Sequence, residues 1–343
     1  MYRDRLSLYQ RLEGLRNSKI LVYITGDRPG LGTQIHPEVL SFFTDHLDMI
    51  TNKRRIPKIS LFLYTSGGFT IAAWSIINLL KQFCGEFEVI IPAKAHSAGT
   101  IIALGAEKII MTKQATLSPI DPSINGPLNP FPANPGIMNP NENQPVPVSV
   151  EAISGFINFI KHDLGVNKQI EQNKMLLNLV DKIHPLVIGQ SYRAKKQIQQ
   201  IAINLLKDKI KNRWRRKKTI KFLTEDSGSH DYTICRDEVK NKLGLPVEKP
   251  NDELYDVIKE IFDDISDELE LNNPFHPISL FNTSSTNVPY SLRQALIEGN
   301  GSGSHVFLRE GVFNKIMAPN QFGIQQELIN EQIIFQGWRH EFS

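Results

Sequence analysis

The sequence predicts an α/β protein of stacked βαβ units around a parallel sheet, with a helical extension and an irregular C-terminal region. Three observations carry this. Strand-like runs alternate with helix-period segments over residues 5–112. The strand runs are apolar on both faces, as in a sheet covered by helices on each side. Two of the strands lead at once into a turn of glycines or small residues and then a helix.

Taken in order, RLSLYQRLEGLR (5–16) places Leu6, Tyr9, Leu12 and Leu15 at helical spacing. KILVYIT (19–25) is a continuous strand run, and Gly26, Pro29, Gly30 and Gly32 mark a loop. A helix over 36–50 precedes the strand KISLFLYT (58–65) and its Ser66-Gly67-Gly68 turn. The helix 69–83, the strand EFEVIIP (86–92), the small-residue turn AKAHSAG (93–99), the helix 100–106 and the strand EKIIMT (107–112) complete the rhythm. Residues 119–150 are dense in Pro and Asn and hold no periodic element, which makes them a lid or a disordered insert. Helices are expected over about 150–163, 167–181 and 185–212; CRDEVKNKLGLPV (235–247) reads as a helix that ends at Gly244 and leads into a short strand, and an acidic amphipathic helix is expected over 251–271. The tail, 272–343, shows less regular patterning.

With 343 residues, 41% apolar and 22% charged, the chain is globular in composition and long enough for a sizeable core. A net charge of +3, from 39 Lys+Arg against 36 Asp+Glu, does not call for a nucleic-acid or membrane partner of the whole chain. Cys84 and Cys235 stand far apart and outside any CxxC motif, which suits a reducing compartment. No apolar run approaches the ~18–20 residues of a membrane span, and residues 1–16 lack a signal peptide's apolar stretch. A soluble cytoplasmic protein is expected. His36, His46, His162, His276, His305 and His340 show no ligand spacing, so no zinc site is expected. GDRPGLG (26–32) lacks the Lys-Ser/Thr of a P-loop, and no dinucleotide fingerprint occurs. No cofactor is expected.

The chemistry lies in the two turns. Each follows a parallel strand and precedes a helix, at the carboxyl edge where α/β sheets build their sites. Gly67-Gly68 exposes backbone N–H groups at a helix N-terminus, where they can stabilise an oxyanion. At the second turn Ser97 stands between His96 and Ala98-Gly99, so its hydroxyl faces outward and the Ala98 N–H points into the same space. One hydroxyl and two donors from separate turns form the minimum constellation for acyl transfer. Either feature alone has a plainer reading, a tight turn or an N-cap.

The runs LFLYTSGGFTIAAWSIINLLKQ and IIPAKAHSAGTIIALGAEKIIMTKQATLSPIDPSI resemble the Clp/crotonase fold, and within it the serine dehydrogenase proteinase family, related to the Clp protease and signal peptide peptidase A. KIHPLVIGQSYRAKKQI (182–198) and SGSHDYTICRDEVKNKLGLPV (227–247) extend the resemblance over roughly 5–250. It implies a Clp-fold serine peptidase domain over 1–250, with the insert 122–149 and a helical arm 150–221, followed by an acidic helix and extension of unknown role over 251–343. Thr65-Ser66-Gly67-Gly68 departs from the family's Thr-Pro-Gly-Gly but keeps the glycines, and Ser97 matches the nucleophile. Where a Clp protease carries its histidine, this chain has Asp121, and where the aspartate falls it has His230-Asp231. The resemblance thus implies a permuted Ser97, Asp121, His230 triad, with Gly68 and Ala98 as oxyanion donors. His184 also matches a family motif and is the alternative base; Lys161 or Lys168 would instead make a dyad. His96 reads as a wall residue.

The implied function is a serine endopeptidase acting on protein or peptide substrates as a homo-oligomer. Two other classes stay open: a crotonase-type acyl-CoA enzyme, which needs no serine nucleophile, and a catalytically inactive assembly or regulatory protein. The cations crowded over 207–221 and the acids over 252–270 are nearly mirror images. They read as solvated helix faces or as an acidic–basic contact within or between subunits.

Overall fold

A computed structural model describes residues 1–120, 122–131, 145–166, 168–227, 229, 231–282, 285–319 and 324–341. Asp121, His230 and most of the Pro/Asn-rich insert (132–144) lie outside the described residues. The chain divides into two units, residues 1–117 with 234–343, and residues 118–233.

The first unit opens with α1 (Tyr2–Arg16), followed by β1 (Lys19–Thr25), α2 (Val39–Thr51), β2 (Ile56–Tyr64), α3 (Thr70–Phe83), β3 (Cys84–Ile91), β4 (Lys94–Ala95), α4 (Ala98–Gly105), β5 (Lys108–Met111) and β6 (Thr116–Leu117). Both α1 and α2 end on an asparagine in the left-handed conformation, Asn17 (φ 47°) and Asn52 (φ 53°), a residue that tolerates this cap. The second unit holds β7 (Ser123–Ile124), β8 (Val148–Ser149), α5 (Val150–Asn158), α6 (Gln169–Val180), α7 (Pro185–Leu206) and α8 (Arg213–Lys221). β7 and β8 pair antiparallel, and Val148, Ile153 and Val187 form a small core. The chain returns to the first unit with β9 (Ile234–Cys235), α9 (Arg236–Asn241), β10 (Val247–Glu248), α10 (Asp252–Glu268), β11 (Asn287–Gly299), β12 (Ser304–Pro319) and β13 (Gln325–Glu341).

The main sheet has eight strands in the order β10-β5-β3-β2-β1-β11-β12-β13. From β10 to β1 every pairing is parallel; from β1 to β13 every pairing is antiparallel. Six of the seven residues of β1 are buried, because strands flank it and helices cover it. On one face α1 and α10 pack together, with Tyr9 and Leu12 meeting Leu254, Val257, Ile258 and Ile261 over Ile20, Val22 and Ile24. Asn251 caps α10 by accepting the Leu254 N–H at 2.9 Å. This is the acidic helix expected from its periodicity. Residues 287–341, which show no clean alternation in sequence, form three long antiparallel strands; β13 is almost entirely exposed or half-exposed, so no buried face imposes a period of two.

Three histidines from α2, β12 and β13 meet at the edge of this unit. His46 Nε2 lies 2.9 Å from His305 Nδ1, and His46 Nδ1 lies 2.6 Å from Ser302 Oγ. The His305 and His340 rings are 4.4 Å apart. Burial, reinforced by the other two imidazoles, pushes His46 down to about 3, and burial together with His340 pushes His305 down to about 4. The fold therefore holds His46 and His305 neutral, whereas the unfolded chain protonates them near ~6.5. Stability is complete above that pH and falls as the pH drops from ~6.5 towards 4, with His46 alone costing on the order of 3 kcal/mol at pH 4. Urea unfolding at pH 7 and pH 4.5 should show a smaller pH-dependent loss in His46→Gln than in the parent protein. Equal losses would remove His46 from the account.

Candidate active site

The site is built where β2 and β4 run out. Thr65 forms a parallel bridge to Ala95, with Thr65 N–H donating to Lys94 O (3.2 Å) and His96 N–H to Thr65 O (3.0 Å). The Thr65 hydroxyl accepts from Thr25 Oγ1 (2.6 Å) and from the Gly67 N–H (2.9 Å), which curls the chain after β2 into its turn. Gly67 (φ +125°) and Gly68 (φ +145°) then adopt backbone conformations that L residues rarely reach. Ile35 pins this turn: its N–H donates to Gly67 O (2.8 Å), and its carbonyl accepts from Phe69 N–H (2.9 Å). A bridge that uses the carbonyl of 67 and the N–H of 69 turns the Gly68 N–H the other way.

The second turn runs from His96 to Gly99 and is closed by Gly99 N–H donating to His96 O at 2.7 Å. Ser97 occupies its second position with φ 49° and ψ −109°. That is the first central position of a type II′ turn, normally glycine. Its carbonyl accepts from Ile101 N–H (3.2 Å), the first bond of α4, while the Thr100 hydroxyl donates back to Ala95 O (3.0 Å). The two turns touch. A Cβ on Gly67 would lie 2.9 Å from Ser97 Cβ, and a Cβ on Gly99 would lie 2.5 Å from Thr65 Cγ2. Neither the Gly68 N–H nor the Ala98 N–H has an acceptor among the described residues. Ser97, Gly67, Gly68 and Ala98, expected together from the sequence, are thus brought together. His96 turns its Nε2 to Thr116 Oγ1 (2.9 Å) on β6.

A serine in a glycine conformation stores strain of about 1–3 kcal/mol. Ser97→Gly should therefore be more stable than Ser97→Ala by about 1–2 kcal/mol, after the ~0.5–1 kcal/mol that glycine's unfolded-state freedom costs. Urea midpoints of the two variants decide it; an alanine variant at least as stable as the glycine variant would mean the turn is not strained.

One cluster escaped the sequence reading. Asp27, just after β1, accepts from Tyr64 Oη (2.6 Å) and Ser66 Oγ (3.4 Å) and pairs with Lys94. Burial raises the Asp27 carboxyl, but Lys94, Tyr64 and Ser66 outweigh it and hold it below its ordinary value. The pair ties the Ser66 turn to the strand that leads to Ser97. Its available signal was position: Asp27 stands two residues beyond the end of one central strand of the main sheet, as Thr65 stands just beyond another.

The base candidates belong to the second unit. His184 is exposed and caps α7, its Nδ1 accepting the Leu186 N–H at 3.2 Å. The cap uses the Nδ1 lone pair and leaves Nε2 as the ring's N–H donor. Lys168 pairs with Glu171 at 3.8 Å. Among the described residues no group of three His, Cys, Asp or Glu is placed to hold a metal ion. No helix of the described residues is long and apolar enough to cross a membrane.

A family model described as ClpP-like SDH-type serine proteinase matches residues 3–146. The uncharacterized protein MJ0137 of Methanocaldococcus jannaschii is 32% identical over 249 residues, 71% of this chain and 73% of that protein. The chain belongs to the ClpP-like SDH-type serine proteinase family. A second relative, the uncharacterized protein MJ1495 of the same organism, is 27% identical and covers 71% of each chain. Among solved structures, ClpP1 from Listeria monocytogenes has 14% identity, covers 72% of this chain and 99% of its own, and gives a TM-score of 0.38. A point mutant of that ClpP1 gives the same score at 13% identity. In this chain the matched segment contains Gly68, Ser97, Ala98 and Asp121 and stops before His184 and His230.

Proposed function

We propose that this chain is a serine endopeptidase that cleaves protein or peptide substrates through an acyl-enzyme on Ser97. The observation that carries the reading is the backbone of Ser97. A hydroxyl is held in a conformation glycine would occupy at lower cost, beside a turn whose own N–H has no acceptor among the described residues. Such strain persists where it serves a mechanism. Ser97 Oγ attacks the substrate carbonyl, and the N–H groups of Gly68 and Ala98 receive the developing oxyanion. They come from two different crossovers, so the charge is met by fixed dipoles. His230 is assigned as the base that takes the Ser97 proton and returns it to the leaving amine, and Asp121 as the carboxylate that orients its imidazole. The capping bond at His184 disfavours it as the base. A homo-oligomer working in the cytoplasm, without a cofactor, completes the proposal.

The test is labelling by a fluorophosphonate, which needs an activated serine and no knowledge of the substrate. The parent protein should label, Ser97→Ala should not, and His230→Ala and Asp121→Asn should label far more slowly. An unlabelled parent protein overturns the peptidase reading. Turnover of an acyl-CoA analogue that survives Ser97→Ala would place the chain in the other class. Labelling that depends on His184 and not on His230 would move the base and leave the reaction class intact.

A further inference from the structure

Two helices of this chain carry opposite charge at the same spacing. Residues 207–221 hold nine Lys or Arg and a single Asp. Along α8, Arg213, Lys217 and Lys221 recur every fourth residue and are exposed. On a helix this spacing makes one row, with about 6 Å between neighbours. α8 buries only Thr219 and Ile220, and Trp214 is 72% exposed with Lys218 over its ring. Arg213, Lys217 and Lys221 also wall a cleft of about 540 Å³ against α7, floored by Ile203 and Ile220.

α10 is the counterpart. Residues 252–268 hold eight carboxylates and one lysine. Its apolar side (Leu254, Val257, Ile258, Ile261, Ile265) is spent on the core. Asp252, Asp256 and Glu260 recur every fourth residue on the exposed side, over the same length as the basic row. Among the described residues of its own unit, no carboxylate lies within ion-pair distance of Arg213 or Lys217. On the same terms, no cation reaches Asp256 or Glu260.

We infer that α8 of one copy docks on the acidic face of α10 of a second copy. The two rows match in sign, pitch and length, and every copy brings both. A helix laid along α8 sets carboxylates at the mouth of the basic cleft, where Ile203 and Ile220 lower the local dielectric and strengthen each pair. A nucleic acid fits less well, since Trp214 offers one aromatic face where a strand needs a succession of them. Because every copy carries both faces, the same contact serves a two-fold dimer that makes it twice or a head-to-tail assembly that makes it once per copy.

The test is charge reversal followed by sedimentation. The parent protein should associate at 0.1 M salt and dissociate at 1 M, where screening shortens from about 10 Å to about 3 Å. Arg213→Glu/Lys217→Glu and Asp256→Lys/Glu260→Lys should each weaken association by about tenfold or more at 0.1 M salt, with unchanged circular dichroism. Mixed together, the two reversed proteins should associate again, because each then meets its complement. Parent-like association of either variant alone, or a mixture that stays apart, overturns the contact. So does a parent protein that is monomeric at low salt. Loss of single-stranded DNA binding in the basic variant with association untouched would also overturn it, in favour of a polyanion site. None of these readouts depends on whether Ser97 reacts.

Discussion

Gly68→Ala is expected to lower fluorophosphonate labelling by about 10²–10³ and to cost about 2–4 kcal/mol of stability. Two separate causes converge. The φ of +145° is one that an L residue adopts only under strain, and a Cβ built there lies 2.3 Å from Ile35 O and 2.4 Å from Ile35 N. These are backbone atoms, so no side chain can swing away to make room. Either the bridge through Ile35 opens, losing the bonds to Gly67 O and Phe69 N–H, or the turn rotates and carries the Gly68 donor with it. The first outcome falls on stability, the second on rate, and denaturation and labelling measured on one preparation separate them. Gly32→Ala is the control, since nothing lies within 4 Å of its added Cβ. It should be neutral in both assays. A Gly68→Ala protein that labels at the parent rate would remove Gly68 from the oxyanion assignment while leaving the serine in place.

The parallel half of the sheet was legible because strands buried on both faces leave unbroken apolar runs: β1, β2, β3 and β5 all stand within two residues of their expected bounds. Most helices were legible by period, with ends that moved by a few residues, but the helix expected over 185–212 stops at Leu206, and α8, whose charged sequence RWRRKKTIK carries no apolar period, is separate from it. The antiparallel half was not legible: β13 has no buried residue to impose a period of two, and a register shift at Glu310/Gly311 breaks the alternation that β12 keeps. The strands β4, β6 and β9 are two residues long, below any periodic signal, yet β4 sets Ser97. At the site, small residues and glycines announced the two turns. The left-handed backbone of Ser97 had no signature, since nothing in Ala-His-Ser-Ala-Gly states that the serine takes glycine's place. The histidine cluster was invisible for a different reason. His46 and His305 are separated by more than two hundred residues, and only the register of β12 with β11 brings them together.

Replacing Arg5 by Met should cost about 3–5 kcal/mol, among the largest effects of any single change. Arg5 is fully buried and fork-bonded to Glu298, through Nη2 to Oε1 (2.6 Å) and Nε to Oε2 (3.1 Å). Its Nη1 donates to Glu268 (2.7 Å) and to Asp264, and Tyr9 Oη donates to Glu298. Burial alone would weaken the guanidinium's hold on its proton, but Glu298 and Glu268 more than reverse this and keep it charged. One side chain thereby ties α1 to α10 and β11, and its removal strands Glu298 without a counterion in the core. The cost is that of the orphaned charge, so Arg5→Met/Glu298→Leu should recover a good part of it; in a double-mutant cycle the two losses should fail to add by more than about 1 kcal/mol. Arg5→Lys keeps the charge but not the planar fork and should fall between parent and Met. Strict additivity would show that the pair is not coupled. The labelling rate of Arg5→Met, measured below its own unfolding midpoint, should match the parent. The turns that hold Ser97 are fixed by Thr25, Thr65, Ile35 and Gly99, and none of these bonds passes through Arg5. A rate that falls with stability would mean that the buttress behind β1 reaches the catalytic edge.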